Sequence, residues 1–209
     1  MSVDKKLVIG ITGFIKSGKT LTAQYFKNHG FHVIDVDRLA HSLYKRATPL
    51  YKKILNIFGN NILKPDSTID RKKLGRLVFS SKSIYKKFCS LVYPALNKTI
   101  ITKIKSLRHK IIILDMAVLF ETGIYKKIDY VIFIMVSKKK WQERINNYPN
   151  AVMIKKIFNF QNIFKLSKKI ALSDFIIYNN GNKKELYDKV RELSKKIKEN
   201  LWKKKMKNK

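Results

Sequence analysis

Five short apolar runs, separated by longer amphipathic segments, constrain the fold of this 209-residue chain. The runs are continuous rather than alternating with polar residues, as in strands that are covered on both faces. Apolar residues at three- and four-residue spacing predict helices between them, the first over Leu21–Asn28 and the last from Asn182 to about Trp202. This alternation predicts a three-layer α/β domain with a parallel sheet. The predicted strands are Leu7–Thr12, Phe31–Asp35, Ile111–Asp115, Tyr130–Val136 and Asp174–Tyr178.

Two spans depart from this alternation, although residues 1–209 are expected to form a single domain. Residues 38–110 show little strand pattern and contain a helical stretch before Pro94, which predicts a helical insertion beside the strand ends, where a substrate would bind. Residues 138–173 are rich in Lys and Asn and weakly patterned, which is typical of a lid.

The strongest motif lies where the first strand meets the first helix. Residues 13–20 read G-F-I-K-S-G-K-T, a full match to G-x-x-x-x-G-K-[ST]. Gly13 and Gly18 permit backbone angles that direct N–H groups at an anion beside a helix N-terminus. Lys19 would reach the β- and γ-phosphates of a nucleoside triphosphate, and Thr20 would offer a hydroxyl to Mg²⁺. The predicted nucleotide contacts are Gly13, Ile15, Lys16, Ser17, Gly18, Lys19, Thr20 and Leu21.

Two carboxylates, Asp35 and Asp37, follow the second strand. Because ligands of open α/β sheets bind at the carboxyl ends of the strands, both are expected near the phosphate loop. Asp37 is the candidate to accept a proton from an attacking hydroxyl or to help hold Mg²⁺ through water. The alternative is that Asp37 caps the helix that starts at Arg38, and Asp35 is a candidate for support or capping.

The net charge of +32 admits two interpretations. Clustered cations favour a nucleic-acid or other polyanionic partner. However, the chain has 39 Lys and only 7 Arg, and the Lys are spread along its length. Since nucleic-acid readers usually retain Arg for its bidentate fork, drift toward AT-rich codons explains the bias better.

Other functional classes are disfavoured by simple counts. One cysteine, Cys89, excludes a disulfide framework within the chain, and the four histidines lack metal-ligand spacing. The apolar runs are too short to span a bilayer, and no secretory hydrophobic region is evident, so a cytoplasmic protein without membrane association is expected.

The ordered series of motifs resembles the dephospho-CoA kinase family over nearly the whole chain, to about Arg191. The series includes Ile11-Thr12-Gly13, Val33-Ile34-Asp35-Val36-Asp37, Leu39-Ala40-His41, Ile69-Asp70-Arg71, Leu119-Phe120-Glu121 and Asp174 with Asn179-Asn180-Gly181. The resemblance implies a P-loop kinase fold with a five-stranded parallel sheet, a substrate insertion at 38–110 for the CoA side, and a lid at 138–173.

The resemblance also implies roles for individual residues. Asp37 matches the catalytic base, Lys19 the phosphate-binding lysine, and Arg144 an arginine that clamps the transferring phosphate. Asn180 and Gly181 match a loop beside the adenine of ATP. The implied reaction phosphorylates the ribose 3′-hydroxyl of dephospho-CoA with ATP and Mg²⁺. For Arg144, a surface ion pair is the alternative.

Several positions depart from the family pattern. Phe14 and Lys16 stand where the family usually has Gly, and Tyr148-Pro149 replaces an acidic-basic pair in the lid. Substitute phosphate contacts in the lid are therefore sought among Lys155, Lys156, Lys165, Lys168 and Lys169.

Two other functions stay open at this point. One is another small P-loop kinase, for a nucleoside monophosphate or another small hydroxyl acceptor. The other is a nucleotide-dependent nucleic-acid binder. For the favoured kinase, ATP and dephospho-CoA are the expected partners, with no specific nucleic acid, and the protein is expected to be a monomer or weak oligomer.

Overall fold

The computed structural model describes residues 6–146, 148–161 and 165–201. The chain divides into two compact units. One is an α/β unit, made of the residues up to Asp35 and those from Lys105 onward, and the other is a helical unit over Val36–Ile104. Within the described ranges, no helix is long and apolar enough to cross a membrane.

The α/β unit contains one five-stranded, all-parallel sheet, which confirms the predicted fold class. The strand order is β2-β3-β1-β4-β5, so the first strand is central. Every residue of this central strand is buried, as its continuous apolar pattern predicts. The strands are β1 (Leu7–Gly13), β2 (His32–Asp35), β3 (Ile111–Asp115), β4 (Tyr130–Met135) and β5 (Phe175–Tyr178).

Helices account for most of the remaining described residues. In chain order they are α1 (Lys19–Asn28), α2 (Val36–Ser42), α3 (Pro49–Phe58), α4 (Arg71–Val78), α5 (Lys82–Ser106), α6 (Lys138–Asn146), α7 (Ala151–Gln161), α8 (Leu166–Ala171) and α9 (Lys183–Lys196). Short 3₁₀ segments cover Asn60–Ile62 and Ile124–Lys127, and a π-helical turn, Ile197–Leu201, follows α9.

The first and last predicted helices differ from the structure only at their ends. Helix α1 begins at Lys19, two residues before the predicted start, directly after Gly18, whose φ is 104°. Helix α9 is preceded by a capping box, in which the Asn182 side chain accepts from the amide of Glu185 and the Glu185 carboxylate accepts from the amide of Asn182. Trp202, the predicted end of the last helix, lies outside the described residues.

Helix α5 continues through Pro94 instead of ending before it. Proline removes one hydrogen bond of the helix and normally breaks it. Here the same apolar face is buried on both sides of the proline, so packing outweighs the lost bond. The buried residues of this face are Tyr85, Cys89, Val92, Leu96, Ile100 and Ile104.

The parallel register aligns the carboxyl ends of three strands. Ile11 of β1 is paired with Asp115 of β3, and Asp115 is paired with Asp35 of β2. The loop that follows β1 therefore begins beside the last residue of β3. This edge is where an open α/β sheet binds its ligand.

The packing around β1 predicts opposite effects for two glycine substitutions. A Cβ at Gly10 would overlap Cδ1 of the fully buried Leu119 and lie 2.7 Å from Cδ1 of Ile128, whereas a Cβ at Gly75 in α4 meets nothing within 4 Å. We expect Gly10→Ala to lower the free energy of unfolding by about 1–3 kcal/mol through overpacking. We expect Gly75→Ala, the matched control, to raise it by about 0.5–1 kcal/mol. Urea denaturation measures both, and equal effects would contradict this account of the core.

Candidate nucleotide-binding site

The loop after β1 is compact, and its glycines are required by close contacts. The amide of Ser17 donates to the carbonyl of Phe14 at 2.9 Å, which closes a tight turn. A Cβ at Gly13 would lie 2.6 Å from the carbonyl oxygen of Ile134, and a Cβ at Gly18 would overlap the amide nitrogen of Asn179. Both positions therefore exclude any larger residue.

Three consecutive carbonyls of the loop are bound from its outer side. Trp141 Nε1 donates to the carbonyl of Ile15 at 2.8 Å. Arg144 Nη1 donates to the carbonyls of Lys16 and Ser17 at 3.3 and 3.4 Å. Asn179 Nδ2 donates to the carbonyl of Ser17 at 2.7 Å, and Arg144 Nη2 returns to the carbonyl of Asn179 at 2.9 Å. Helix α6 and the end of β5 thus hold the loop together.

These bonds determine the direction of the loop's N–H groups. In a trans peptide, the C=O of one residue and the N–H of the next point in opposite directions. The carbonyl of Ile15 is directed at Trp141 and that of Ser17 at Arg144, so the N–H groups that follow them, those of Lys16 and Gly18, turn to the inner side of the loop. The N–H of Ser17 closes the turn on Phe14 instead. The inward N–H groups adjoin the N-terminus of α1, which carries partial positive charge. The arrangement is suited to bind an anion such as a phosphate chain.

The motif lysine already has an anionic partner. Lys19 Nζ forms an ion pair with Asp115 Oδ1 at the end of β3, and both side chains are largely buried. Thr20 and Leu21, the next residues of α1, are exposed. Thr20 is therefore accessible from solvent, as a metal-binding role requires.

Lys16 differs from the other cations around the loop. It is one of the non-glycine residues with positive φ, at 65°. Its ammonium lies 3.2 Å from the centre of the Tyr148 ring, just after α6. The Lys16 ammonium is thus held by an aromatic face, in a cation–π contact.

Aromatic rings join the loop to the sheet and the predicted lid. The Phe14 ring packs against Phe133 of β4, with ring centres 5.6 Å apart, and against Phe158 of α7 at 4.9 Å. The Trp141 ring also packs on Phe158, at 4.6 Å. Phe14, which departs from the family pattern, is therefore an anchoring point of the loop.

A buried ion pair connects α8 to the segment after β3. Lys169 Nζ lies 2.8 Å from Glu121 Oε1, and their side chains are 6% and 1% exposed. The second oxygen, Glu121 Oε2, is buried without a hydrogen-bond partner among the described residues. Of the lysines considered as substitute phosphate contacts, Lys169 is engaged in this pair.

The predicted adenine loop follows β5 directly. Asn180 Oδ1 accepts from the amide of Ser137 at 2.8 Å, which ties this loop to the start of α6. At Gly181, an added Cβ would overlap the carboxylate of Glu185. The loop is thus well positioned beside the phosphate loop through Asn179, and contact with adenine stays a prediction.

Asp37, the predicted base, lies in the helical unit as the second residue of α2. It follows Asp35, the last residue of β2, by two positions. In the described ranges, no group of three or more His, Cys, Asp or Glu side chains is placed to hold a metal ion.

Sequence reasoning missed the residues that hold the loop from outside. No sequence motif singles out Trp141, and Asn179 is indicated only as part of the family motif Asn179-Asn180-Gly181. Asp115, predicted only as the last residue of a strand, is paired with Lys19 in the structure. A signal for Asn179 was available, since a polar side chain after a buried strand, next to the ligand-binding edge, is a candidate for such a role.

Two sequence comparisons with known proteins agree on one family. The family model for dephospho-CoA kinase matches residues 7–185. A dephospho-CoA kinase from Lactobacillus acidophilus is 36% identical over 195 residues, which cover 92% of this chain and 98% of that protein. The dephospho-CoA kinase from Aquifex aeolicus is 32% identical and covers 88% of this chain and 94% of its own length.

Solved structures support the same assignment. The dephospho-CoA kinase from Campylobacter jejuni has a TM-score of 0.67 at 25% identity, covering 91% of this chain and 96% of its own. A Thermus thermophilus protein has a TM-score of 0.74 at 20% identity, covering 92% and 98%, and shows the shared fold.

The bonds to the loop carbonyls predict that Arg144 stabilises the conformation of the loop. We expect Arg144→Gln to increase amide hydrogen exchange across residues 14–18 by about tenfold, because the carbonyls of Lys16 and Ser17 lose charged donors. Hydrogen-exchange mass spectrometry measures this. Arg191→Gln, which removes an exposed arginine paired with Asp188 in α9, is the matched control. Unchanged exchange in the loop of Arg144→Gln would contradict the role.

Proposed function

The chain belongs to the dephospho-CoA kinase family, and we infer that it transfers the γ-phosphoryl group of ATP to the ribose 3′-hydroxyl of dephospho-CoA. The products are CoA and ADP. The observation that carries this function is the phosphate loop, in a chain whose residues 7–185 match the family model. Family membership does not favour the two other functions considered from the sequence, another small kinase and a nucleic-acid binder.

For ATP, we propose the inner side of the loop and the N-terminus of α1 as the phosphate site. The N–H groups of Lys16 and Gly18 would donate to phosphate oxygens. Lys19 would exchange part of its interaction with Asp115 for the β- and γ-phosphates. Asn180 and Gly181 would lie beside the adenine.

For the acceptor, we propose that Asp37 positions and deprotonates the 3′-hydroxyl. The hydroxyl oxygen forms a bond to the γ-phosphorus while the bond to the β–γ bridging oxygen breaks, and the proton passes to Asp37. ADP leaves with the electron pair of the broken bond. Positioning and electrostatic stabilisation supply most of the acceleration in this chemistry. Arg144 would act on the transferring phosphate through its hold on the loop or by direct contact.

The residues present also fit a bound Mg²⁺. This ion usually takes one or two protein oxygens and completes its shell with substrate phosphates and waters, so a dedicated cluster is not required. We propose the hydroxyl of the exposed Thr20 as a direct ligand and Asp37 as a ligand through water. When bound, Mg²⁺ would neutralise charge on the phosphates of ATP.

The helical unit contains a basic cavity that we propose as an acceptor subsite. Its volume is about 880 Å³, and Tyr44 and Ile69 contribute apolar surface. Burial raises the pKa of Tyr44 to about 12, against the opposing charge of Arg71, so this phenol stays neutral at physiological pH. The cations of the cavity suit the diphosphate of dephospho-CoA, and its apolar surface suits the uncharged arm. The cations that line it are Lys45, Arg46, Lys64, Arg71 and Lys72.

The carboxylate of Asp70 lies beside these cations, and it accepts hydrogen bonds from backbone amides. Its Oδ1 accepts from the amides of Lys72 and Lys73 at 2.8 and 3.1 Å and caps α4. The amide of Lys73 is the main cause that lowers the pKa of Asp70. The carboxylate is thereby held at the helix N-terminus, while the side chain of Arg71 lines the cavity.

We also propose that the protein acts in the cytoplasm as a monomer or weak oligomer, without a specific nucleic-acid partner. Its one cysteine, Cys89, is a buried free thiol, as suits a reducing compartment. The excess of Lys over Arg supports compositional drift rather than a selected nucleic-acid surface.

The assignment is tested by the reaction itself. Purified protein with ATP, Mg²⁺ and dephospho-CoA is expected to form CoA and ADP, which chromatography measures. Addition of EDTA is expected to abolish the reaction. Asp37→Asn is expected to lower kcat by about 100-fold or more, because the carboxylate no longer accepts the proton. Asp35→Asn is the matched control, with activity near that of the wild type. No CoA from wild-type protein that binds ATP would overturn the acceptor assignment.

The cavity yields a separate prediction for Arg71. We expect Arg71→Gln to raise the KM for dephospho-CoA by about tenfold through loss of a charge-assisted contact, with the KM for ATP unchanged. Arg76→Gln removes the same charge from the same helix at an exposed position that does not line the cavity. Initial-rate kinetics with each substrate varied in turn measures both KM values. Equal acceptor KM values for the two variants would exclude Arg71 from the subsite.

A further inference from the structure

Lys16 occupies a strained position in the phosphate loop. Its φ of 65° lies in the left-handed region. For a residue with a Cβ this conformation is less stable than the ordinary right-handed one. Such strain is often retained at ligand-binding sites, where the surrounding structure holds it in place. Here the carbonyl of Lys16 is held by Arg144 at 3.3 Å.

The cations around the loop differ in what holds them. Lys19 is paired with the carboxylate of Asp115, and Arg144 donates to three carbonyl oxygens. Lys169 is paired with Glu121 in a buried site. The Lys16 ammonium, by contrast, is held by the ring of Tyr148, which is 48% exposed.

This difference determines which cation is most easily recruited. An exposed cation–π contact is weak. A hydrogen bond between an ammonium and a charged oxygen is stronger. A polyphosphate bound in the loop would therefore outcompete the Tyr148 ring. Lys16 can move its ammonium on a flexible four-carbon stem without moving the loop.

We propose that Lys16 is a second lysine of the loop that binds the phosphates of ATP, and that Tyr148 holds its ammonium when no nucleotide is bound. The proposal rests on ATP binding at this loop, as inferred above. The Tyr148 ring and the phosphates of ATP then compete for the Lys16 ammonium, because the ammonium cannot occupy both places. Removing each side chain should therefore change ATP affinity in opposite directions.

The test compares Lys16→Met with Tyr148→Leu in the full chain by isothermal titration calorimetry. We expect Lys16→Met to weaken ATP binding by about tenfold, and AMP, with its single phosphate, to be affected less. We expect Tyr148→Leu to bind ATP at least as tightly as the wild type, because the competing contact is removed. The double variant should match Lys16→Met.

Two further variants separate binding from folding. Lys16→Gly removes the ammonium and the left-handed strain together, so it should raise the thermal midpoint while weakening ATP binding. Lys139→Met removes an exposed lysine of α6 and controls for net charge. It should leave ATP affinity within about twofold, since exposed charges are largely screened.

The outcomes distinguish this proposal from the proposed function. If Lys16→Met and Tyr148→Leu weaken ATP binding equally, their contact is only a structural brace and the proposal is wrong. If the wild type makes CoA and Lys16→Met has the same ATP affinity as the wild type, the proposal also fails while the kinase function stands. If the wild type forms no CoA but Lys16→Met still weakens ATP binding, the acceptor assignment fails and the role of Lys16 stands.

Discussion

The outward attachment of the loop carbonyls is the constraint on which the site depends. A short loop that binds anions must keep its N–H groups together, although their partial positive charges repel one another. Bonds from Trp141, Arg144 and Asn179 to the opposite ends of these peptides fix that arrangement before any ligand binds. Preorganised donors of this kind cost little reorganisation when charge arrives. The sheet contributes by bringing β4, β5 and the start of α6 beside the loop.

The strong positive charge indicates a function only where individual cations can be assigned to their partners. The 39 lysines are spread along the whole chain. The informative ones are those that the fold has placed: Lys19 on a carboxylate, Lys169 in a buried pair, and Lys16 on an aromatic ring. Arg144 shows why some arginines persist in such a chain. Its planar group reaches three carbonyls at once, which a single ammonium does with less geometric definition.

The sheet and the phosphate loop were predictable because their information is local. A continuous apolar run specifies a covered strand, and the glycines at 13 and 18 stand where a Cβ would meet neighbouring atoms too closely. The braces of the loop were not predictable in the same way. Trp141 and Asn179 bond to backbone oxygens more than 120 residues away in the chain, and every residue has such an oxygen. The course of α5 through Pro94 likewise depends on the face buried beyond it.

The buried pair of Glu121 and Lys169 constrains how this chain can change over generations. The two residues are 48 positions apart, yet neither can be replaced alone without leaving the other charged in an apolar setting. Among dozens of lysines that can be exchanged with small effect, Lys169 is therefore tied to one distant glutamate. Descendants of this sequence are expected to keep both residues or to lose both together, so the pair offers a record of shared ancestry for the segment after β3 and for α8.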